Sequence, residues 1–179
     1  FLMNSYNKIN TKQINLLQVL PHLNSGGLVS GAIEVANYLK KSGGKSIVVS
    51  AGGYRENEIL KNNNISINYP VDTKNPYLIY RNINKLISVI KEYNINIVHA
   101  RSRAPAWSAY YAAKKTGTAF ITTFHGTYGT ENLIKKEYNK IMLKGTYVIA
   151  ISNFIKEHIK NEYKRYNKIF VIPRGINEN

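Results

Sequence analysis

The sequence has no cysteine and only one aspartate, Asp72. The first absence excludes disulfides, thiolate zinc sites and cysteine nucleophiles, and fits a cytosolic chain. The second excludes any Asp-x-Asp metal motif and argues against a two-metal carboxylate centre. No metal site and no cofactor is expected. No apolar run approaches the ~20 residues that a membrane span needs. The opening residues 1–13, "FLMNSYNKINTKQ", have no apolar signal core and read as an N-terminal tail without a secretion signal. Long polar low-complexity tracts are also missing. With 179 residues, 44% of them hydrophobic, the chain can build one domain with a sizeable core.

Acidic residues are scarce. Ten Asp and Glu face 25 Lys and Arg, for a net charge of +15. A surplus of that size attracts polyanions such as nucleic acid, acidic membrane or phosphorylated ligands. Part of it is compositional, because the chain is crowded with Lys, Asn, Ile and Tyr. Both readings stay open on composition alone.

Apolar runs and helical periodicities alternate along the chain. Strands are expected at 14–20, 45–51, 65–70, 95–100, 119–124, 146–152 and 168–173. Helices are expected at 27–43, 77–93, 105–117, 130–145 and 153–166, several closed by glycine. The strands are apolar along their length rather than at every second residue, which suits a sheet buried on both faces. The fold class expected is α/β, a doubly wound parallel sheet spanning 14–173, with no internal repeat.

In such a sheet, ligands bind beyond the carboxyl ends of the strands. Four loops there carry suggestive residues. In "HLNSGGLVSGAIEVANYL" (22–39), Gly26 and Gly27 precede a helix. The spacing fits neither a dinucleotide fingerprint nor a Walker A loop, and "GGKS" (43–46) precedes a strand where a Walker loop precedes a helix. A glycine pair at a helix N-terminus suits a phosphate; a plain tight turn is the alternative that spacing alone favours. In "HARSRAPAW" (99–107), Arg101 and Arg103 leave a strand end, where they could meet an oxyanion or simply sit on the surface. His99, inside the apolar run, reads as a hydrogen-bonded structural residue. In "TTFHGTYG" (122–129), His125 follows a strand directly, and a binding or polarising role suits it better than a triad base. In "IAISNF" (149–154), Ser152 or Asn153 reads as a helix N-cap.

Taken in order, these stations resemble the N-terminal domain of glycosyltransferase family 4, retaining enzymes of GT-B fold. The markers are "LPHLNSGG" with "GAIEVANYL", "KNP" (74–76), "IVHARSRAPAWSA", "TTFHGTYG", "VIAISNFIKEHI" and "VIPRGIN". They look like the proteobacterial branch associated with lipopolysaccharide core sugar transfer. Where that branch reads Gly-Gly-Val-Glu-Arg-Gly-Thr, this chain has Gly26, Gly27, Leu28, Val29, Ser30, Gly31 and Ala32.

The resemblance implies a Rossmann-like, acceptor-side half of a GT-B enzyme. It implies Gly26 and Gly27 at the diphosphate of a nucleotide-sugar donor, and His125 as the catalytic residue beside the reacting sugar. It implies Arg101, Ser102, Arg103, Gly126 and Thr127 on the acceptor side, and Arg174 and Gly175 at the start of an interdomain hinge (174–179). A second, donor-binding domain is expected beyond the hinge, so this chain alone is expected to be incomplete for catalysis. The implied acceptor is a lipopolysaccharide-type or other lipid-linked glycan.

Lys136, Lys140 and Lys144, and again Lys156, Lys160 and Lys164, are spaced to form two helical ridges. Such ridges suit an anionic membrane surface, and equally a solvated helix face. The location expected is cytoplasmic, with docking at the inner face of the cytoplasmic membrane as the open option. Two other readings are a basic module for nucleic acid, which lacks any RNA-recognition signature, and an inactive remnant of a split gene.

Overall fold

The structure, a computed structural model, describes residues 14–129, 132–165 and 167–173. The N-terminal tail and the hinge residues Arg174 and Gly175 lie outside them.

The chain runs β1 (Asn15–Val19), α1 (Gly27–Lys41), β2 (Lys45–Ser50), α2 (Glu56–Leu60), β3 (Ile65–Asn68), α3 (Pro76–Glu92), β4 (Ile97–Ala100), α4 (Arg103–Thr116), β5 (Ala119–Phe124), α5 (Leu133–Asn139), a 3-10 turn (Lys140–Leu143), β6 (Tyr147–Ala150), α6 (Asn153–Tyr163) and β7 (Ile169–Val171). All pairings among the described strands are parallel, in the order β3-β2-β1-β4-β5-β6-β7. The doubly wound sheet read from the sequence is the fold observed.

The two faces are covered by different helices. Val29, Ala32, Ile33 and Ala36 of α1 pack with Ile59 of α2 on Val48, Leu20 and Leu23. The opposite face is covered by α3, α4 and α6, which bring Leu86, Ile90, Ala109, Ala112, Ile155 and Ile159 onto Leu17, Val19, Val98 and Val148. Short side chains along α4 let it lie close to the sheet. Strand order reverses between β1 and β4, so the crevice beyond their carboxyl ends is where this fold places a ligand.

Several boundaries differ from those expected. The helix predicted over 130–145 is broken: α5 ends at Asn139 and the chain tightens into the 3-10 turn. Asn139 is fully buried, with its amide donating to Gly129 O and accepting from Arg103. Burying that polar side chain while also sending Ile141 and Met142 into the core is what a single straight helix fails to do. α4 starts at Arg103 rather than 105, which leaves Pro105 in its first turn, where no backbone hydrogen bond is lost. α6 stops at Tyr163 because Lys164 adopts φ 54°, and α1 stops at Lys41. α2 was not expected; it is one short turn with a single buried residue, Ile59, and carries no periodicity.

Candidate functional site

The cleft is built on the loop after β1. Gly26 caps α1 with φ 105° and ψ 159°, a conformation that a side chain would strain, and no side chain caps the helix. The amides of Val29 and Ser30 bond back to Gly26 O at 3.1 and 3.2 Å. The loop is held from below by the β2–α2 turn: Leu23 N donates to Gly52 O at 2.8 Å and Arg55 N to Leu23 O at 2.9 Å. At Gly53, φ is 154° and an added Cβ would sit 2.3 Å from the Leu23 carbonyl. Arg55 also donates through Nη1 to Ser30 Oγ at 2.9 Å, while pairing with Glu58. Val29 is a core residue. The Val29-Ser30 departure noted in the sequence is therefore one apolar anchor and one acceptor for a guanidinium arriving from α2's N-cap.

Beneath α1 runs a buried polar chain. In register, Gln18 lies opposite Val48 on one side and His99 on the other, so all three face α1. Gln18 Nε2 donates to Ala32 O at 2.9 Å and Ser46 Oγ at 3.1 Å, which leaves Oε1 to accept from Arg101 Nε at 2.9 Å. Arg101 Nη2 reaches Gly31 O at 3.4 Å, and the residue is only 6% exposed. His99 Nε2 and Thr123 Oγ1 are 2.7 Å apart. Burial, then the charges of Arg101 and His125, hold the His99 pKa well below the usual imidazole value, so the ring is neutral.

These groups open onto a cleft of about 620 Å³ lined by Gly27, Ser30, Gly31, Glu34, Arg101 and His125, with His99 and Thr123 below. Ile149, Ile151, Ile172 and Pro173, from the ends of β6 and β7, make an apolar wall. A cation, an imidazole and a glycine-lined helix start facing one cavity can hold an anion and orient a hydroxyl.

Arg101 and Arg103, a pair in the sequence, are separated by the fold. Arg103 turns away from Arg101, donates to Asn139 Oδ1 at 3.0 Å and lies 4.4 Å from the Tyr128 ring centre. It lines a second pocket of about 520 Å³ with Ser102, Lys74, Lys135, Tyr138 and Asn139. Burial pushes the Tyr128 phenol up to about 12, against the opposing pull of the Arg103 charge. Asn75 caps α3, accepting from Tyr77 N at 2.9 Å and Leu78 N at 3.3 Å, and Pro76 occupies its first turn. The "KNP" marker is thus a helix start that sets Lys74 at the second pocket. Gly126 and Thr127 follow His125 and line neither pocket. Ser152 is the α6 cap, accepting from Ile155 N at 3.2 Å.

Four contributors escaped the sequence reading: Gln18, Arg55, Thr123 and Glu34. Glu34 had a signal, since it follows Gly27 and Gly31 at helical spacing on one face of α1. The lysines of the two expected ridges divide differently in the structure. Lys140, Lys144 and Lys164 line a third cavity away from the cleft, whereas Lys136, Lys156 and Lys160 do not. No helix among the described residues is long and apolar enough to cross a membrane.

Residues 25–179 match the family described as Glycosyltransferase Family 4. Among solved structures, a glycosyltransferase from Rickettsia africae ESF-5 shares 45% identity with a TM-score of 0.80, over 92% of this chain and 44% of its own. Anabaena Alr3699/HepE in complex with UDP and glucose superposes with a TM-score of 0.75 at 14% identity, over 91% of this chain and 45% of its own. The lipopolysaccharide outer core galactosyltransferase WaaB, in its apo form, gives 0.67 at 16% identity, over 91% of this chain and 46% of its own. The chain therefore spans less than half the length of each of these structures. A search of curated proteins gives no significant match.

Proposed function

Because the chain belongs to glycosyltransferase family 4, we propose that it is the acceptor-side domain of a retaining, metal-independent transferase. The donor is a nucleotide-sugar and the acceptor a lipid-linked glycan of lipopolysaccharide type. The observation that carries this reading is the convergence of Gly27, Arg101 and His125 on one cleft at the point where strand order reverses. The donor diphosphate lies against the amides of Gly26 and Gly27, and Arg101, expected from the resemblance on the acceptor side, instead stands behind it with its buried charge. His125 hydrogen-bonds and polarises the reacting sugar. Ser102 and Arg103 take the acceptor in the adjoining pocket, with Gly126 and Thr127 on the loop that joins that region to His125. The donor-side domain belongs to the half of the enzyme not spanned here, reached through a hinge at Arg174 and Gly175. UDP and glucose in the Anabaena structure support a nucleotide-sugar donor.

The acceptor pocket adjoins a surface suited to lipid. Leu133 and Ile134 open α5 and are each 79% exposed, and Ile134 and Lys135 both line the pocket. A pair of exposed apolar side chains beside cations supports docking on an anionic membrane at its cytoplasmic face.

The test is calorimetric titration of UDP-glucose into the wild-type chain and into an Arg101→Ala, His125→Ala double variant, with a thermal melt to confirm folding. Weak binding by the wild type is expected to fall by about tenfold or more when two polar contacts are lost. Equal binding by a folded double variant would refute the site.

A further inference from the structure

A cavity of about 780 Å³ lies away from the cleft, between α4, the 3-10 turn and the α6–β7 connection. Those segments meet before β6 and β7 begin, at the opposite end of the strands from the cleft, and the two cavities share no lining residue. Its size is that of a small-molecule site.

Its chemistry is two-sided. Trp107, Tyr110 and Tyr111 line the α4 wall, with Trp107 and Tyr111 stacked at 6.4 Å between ring centres. The indole N–H of Trp107 is buried with no hydrogen-bond partner. Lys140, Lys144, Lys164 and Lys168 also line the pocket, against a single acid, Glu137, which pairs with Lys140. Arg165 is already engaged, donating to the carbonyls of Leu143, Gly145 and Asn167, and so clamps the α6–β7 connection in place. Lys144, Lys164 and Lys168 make no ion pair among the described residues.

The backbone adds an independent observation. Lys164 and Lys168 both sit in the left-handed region, at φ 54° and 58°. Glycine or asparagine would occupy those positions at lower cost. What lysine supplies there is an ammonium group at the pocket.

We propose that this pocket binds a phosphate-bearing ligand, its phosphate held by Lys144, Lys164 and Lys168 and its ring or ester group set against Trp107 and Tyr111. Charge-assisted contacts to a phosphate suit three ammonium groups that make no ion pair among the described residues, Lys168 standing 6.0 Å from the Tyr147 ring centre. The same chemistry is offered by a soluble phosphate and by a phospholipid headgroup.

Trp107 is the sole tryptophan of the chain, so its fluorescence reports on this pocket. Inorganic pyrophosphate is titrated in one arm, and phosphatidic acid vesicles in a phosphatidylcholine background in the other. A saturable change is expected in at least one arm, and the responding arm identifies the source of the phosphate. A Lys164→Gly, Lys168→Gly variant removes two ammonium groups and suits the left-handed backbone, so it should melt like the wild type. Its binding should weaken by about tenfold, the scale of one or two lost charge-assisted contacts. Lys74→Ala, in the pocket beside Tyr138, and His125→Ala, in the cleft, should leave the response unchanged. Absence of a saturable response to either probe overturns the proposal, and so does a response that survives in the glycine variant.

Discussion

Arg101 donates its Nε to Gln18 Oε1 at 2.9 Å, joining two buried side chains 83 residues apart in sequence. The bond ties the end of β4 to the middle of β1 directly under α1. Gln18 is oriented by its own donors to Ala32 and Ser46, so its acceptor can only face the guanidinium. A charge in the cleft is thereby fixed in position by a residue that does not line it.

Replacing Gln18 by Leu removes that acceptor and leaves a buried cation short of a partner. Urea unfolding should show a loss of about 3 kcal/mol, the scale of breaking one side of a buried charged hydrogen bond. A loss under about 1 kcal/mol, typical of a solvated contact, would mean that water replaces Gln18.

Gly53, after β2, packs against the loop that leads into α1. Gly53→Ala would place a Cβ 2.3 Å from the Leu23 carbonyl at φ 154°. A destabilisation of about 3 kcal/mol is expected from overlap plus backbone strain. Gly126→Ala, where a Cβ meets nothing within 4 Å, should be tolerated. Thermal melts of the two variants compare them directly, and equal melting temperatures would contradict the packing described.

His99 makes stability depend on pH. Its folded pKa lies below its unfolded one, because burial and the nearby charges of Arg101 and His125 disfavour the imidazolium. Above about pH 6.5 both states are neutral and His99 contributes no slope. As pH falls below that, the unfolded chain takes up a proton that the folded chain does not. Stability should then fall by up to about 1.4 kcal/mol per pH unit, until the folded pKa is reached. Unfolding free energies at pH 7.5 and 5.5 measure this, and His99→Gln should flatten that part of the profile.

The sheet was legible because its strands are apolar on both faces: "INLLQV" and "KSIVVS" read as buried strands without help from their neighbours. The glycine loop and His125 were legible because each sits directly at a strand or helix end. The divergence of Arg101 and Arg103 was not, because it depends on Arg101 lying beyond the last strand residue while Arg103 is the first of a helix. Gln18 reads in sequence only as an interruption of an apolar run; its role appears once β4 is laid beside β1. The ridge of Lys136, Lys140 and Lys144 assumed one straight helix over 130–145, and the chain turns at the buried Asn139 instead. Lys140 and Lys144 then meet Lys164 from a different helix, a grouping that no spacing rule contains.

In the proposed function, the nucleotide-sugar's phosphates meet the start of α1 and the cleft behind it. Amide chemical-shift mapping during a UDP-glucose titration of the isotope-labelled chain tests it most directly. Saturable shifts are expected at Gly26, Gly27, Arg101 and His125, with the amides around Arg103 still. Shifts confined to residues outside the cleft, or none at millimolar ligand, would contradict it.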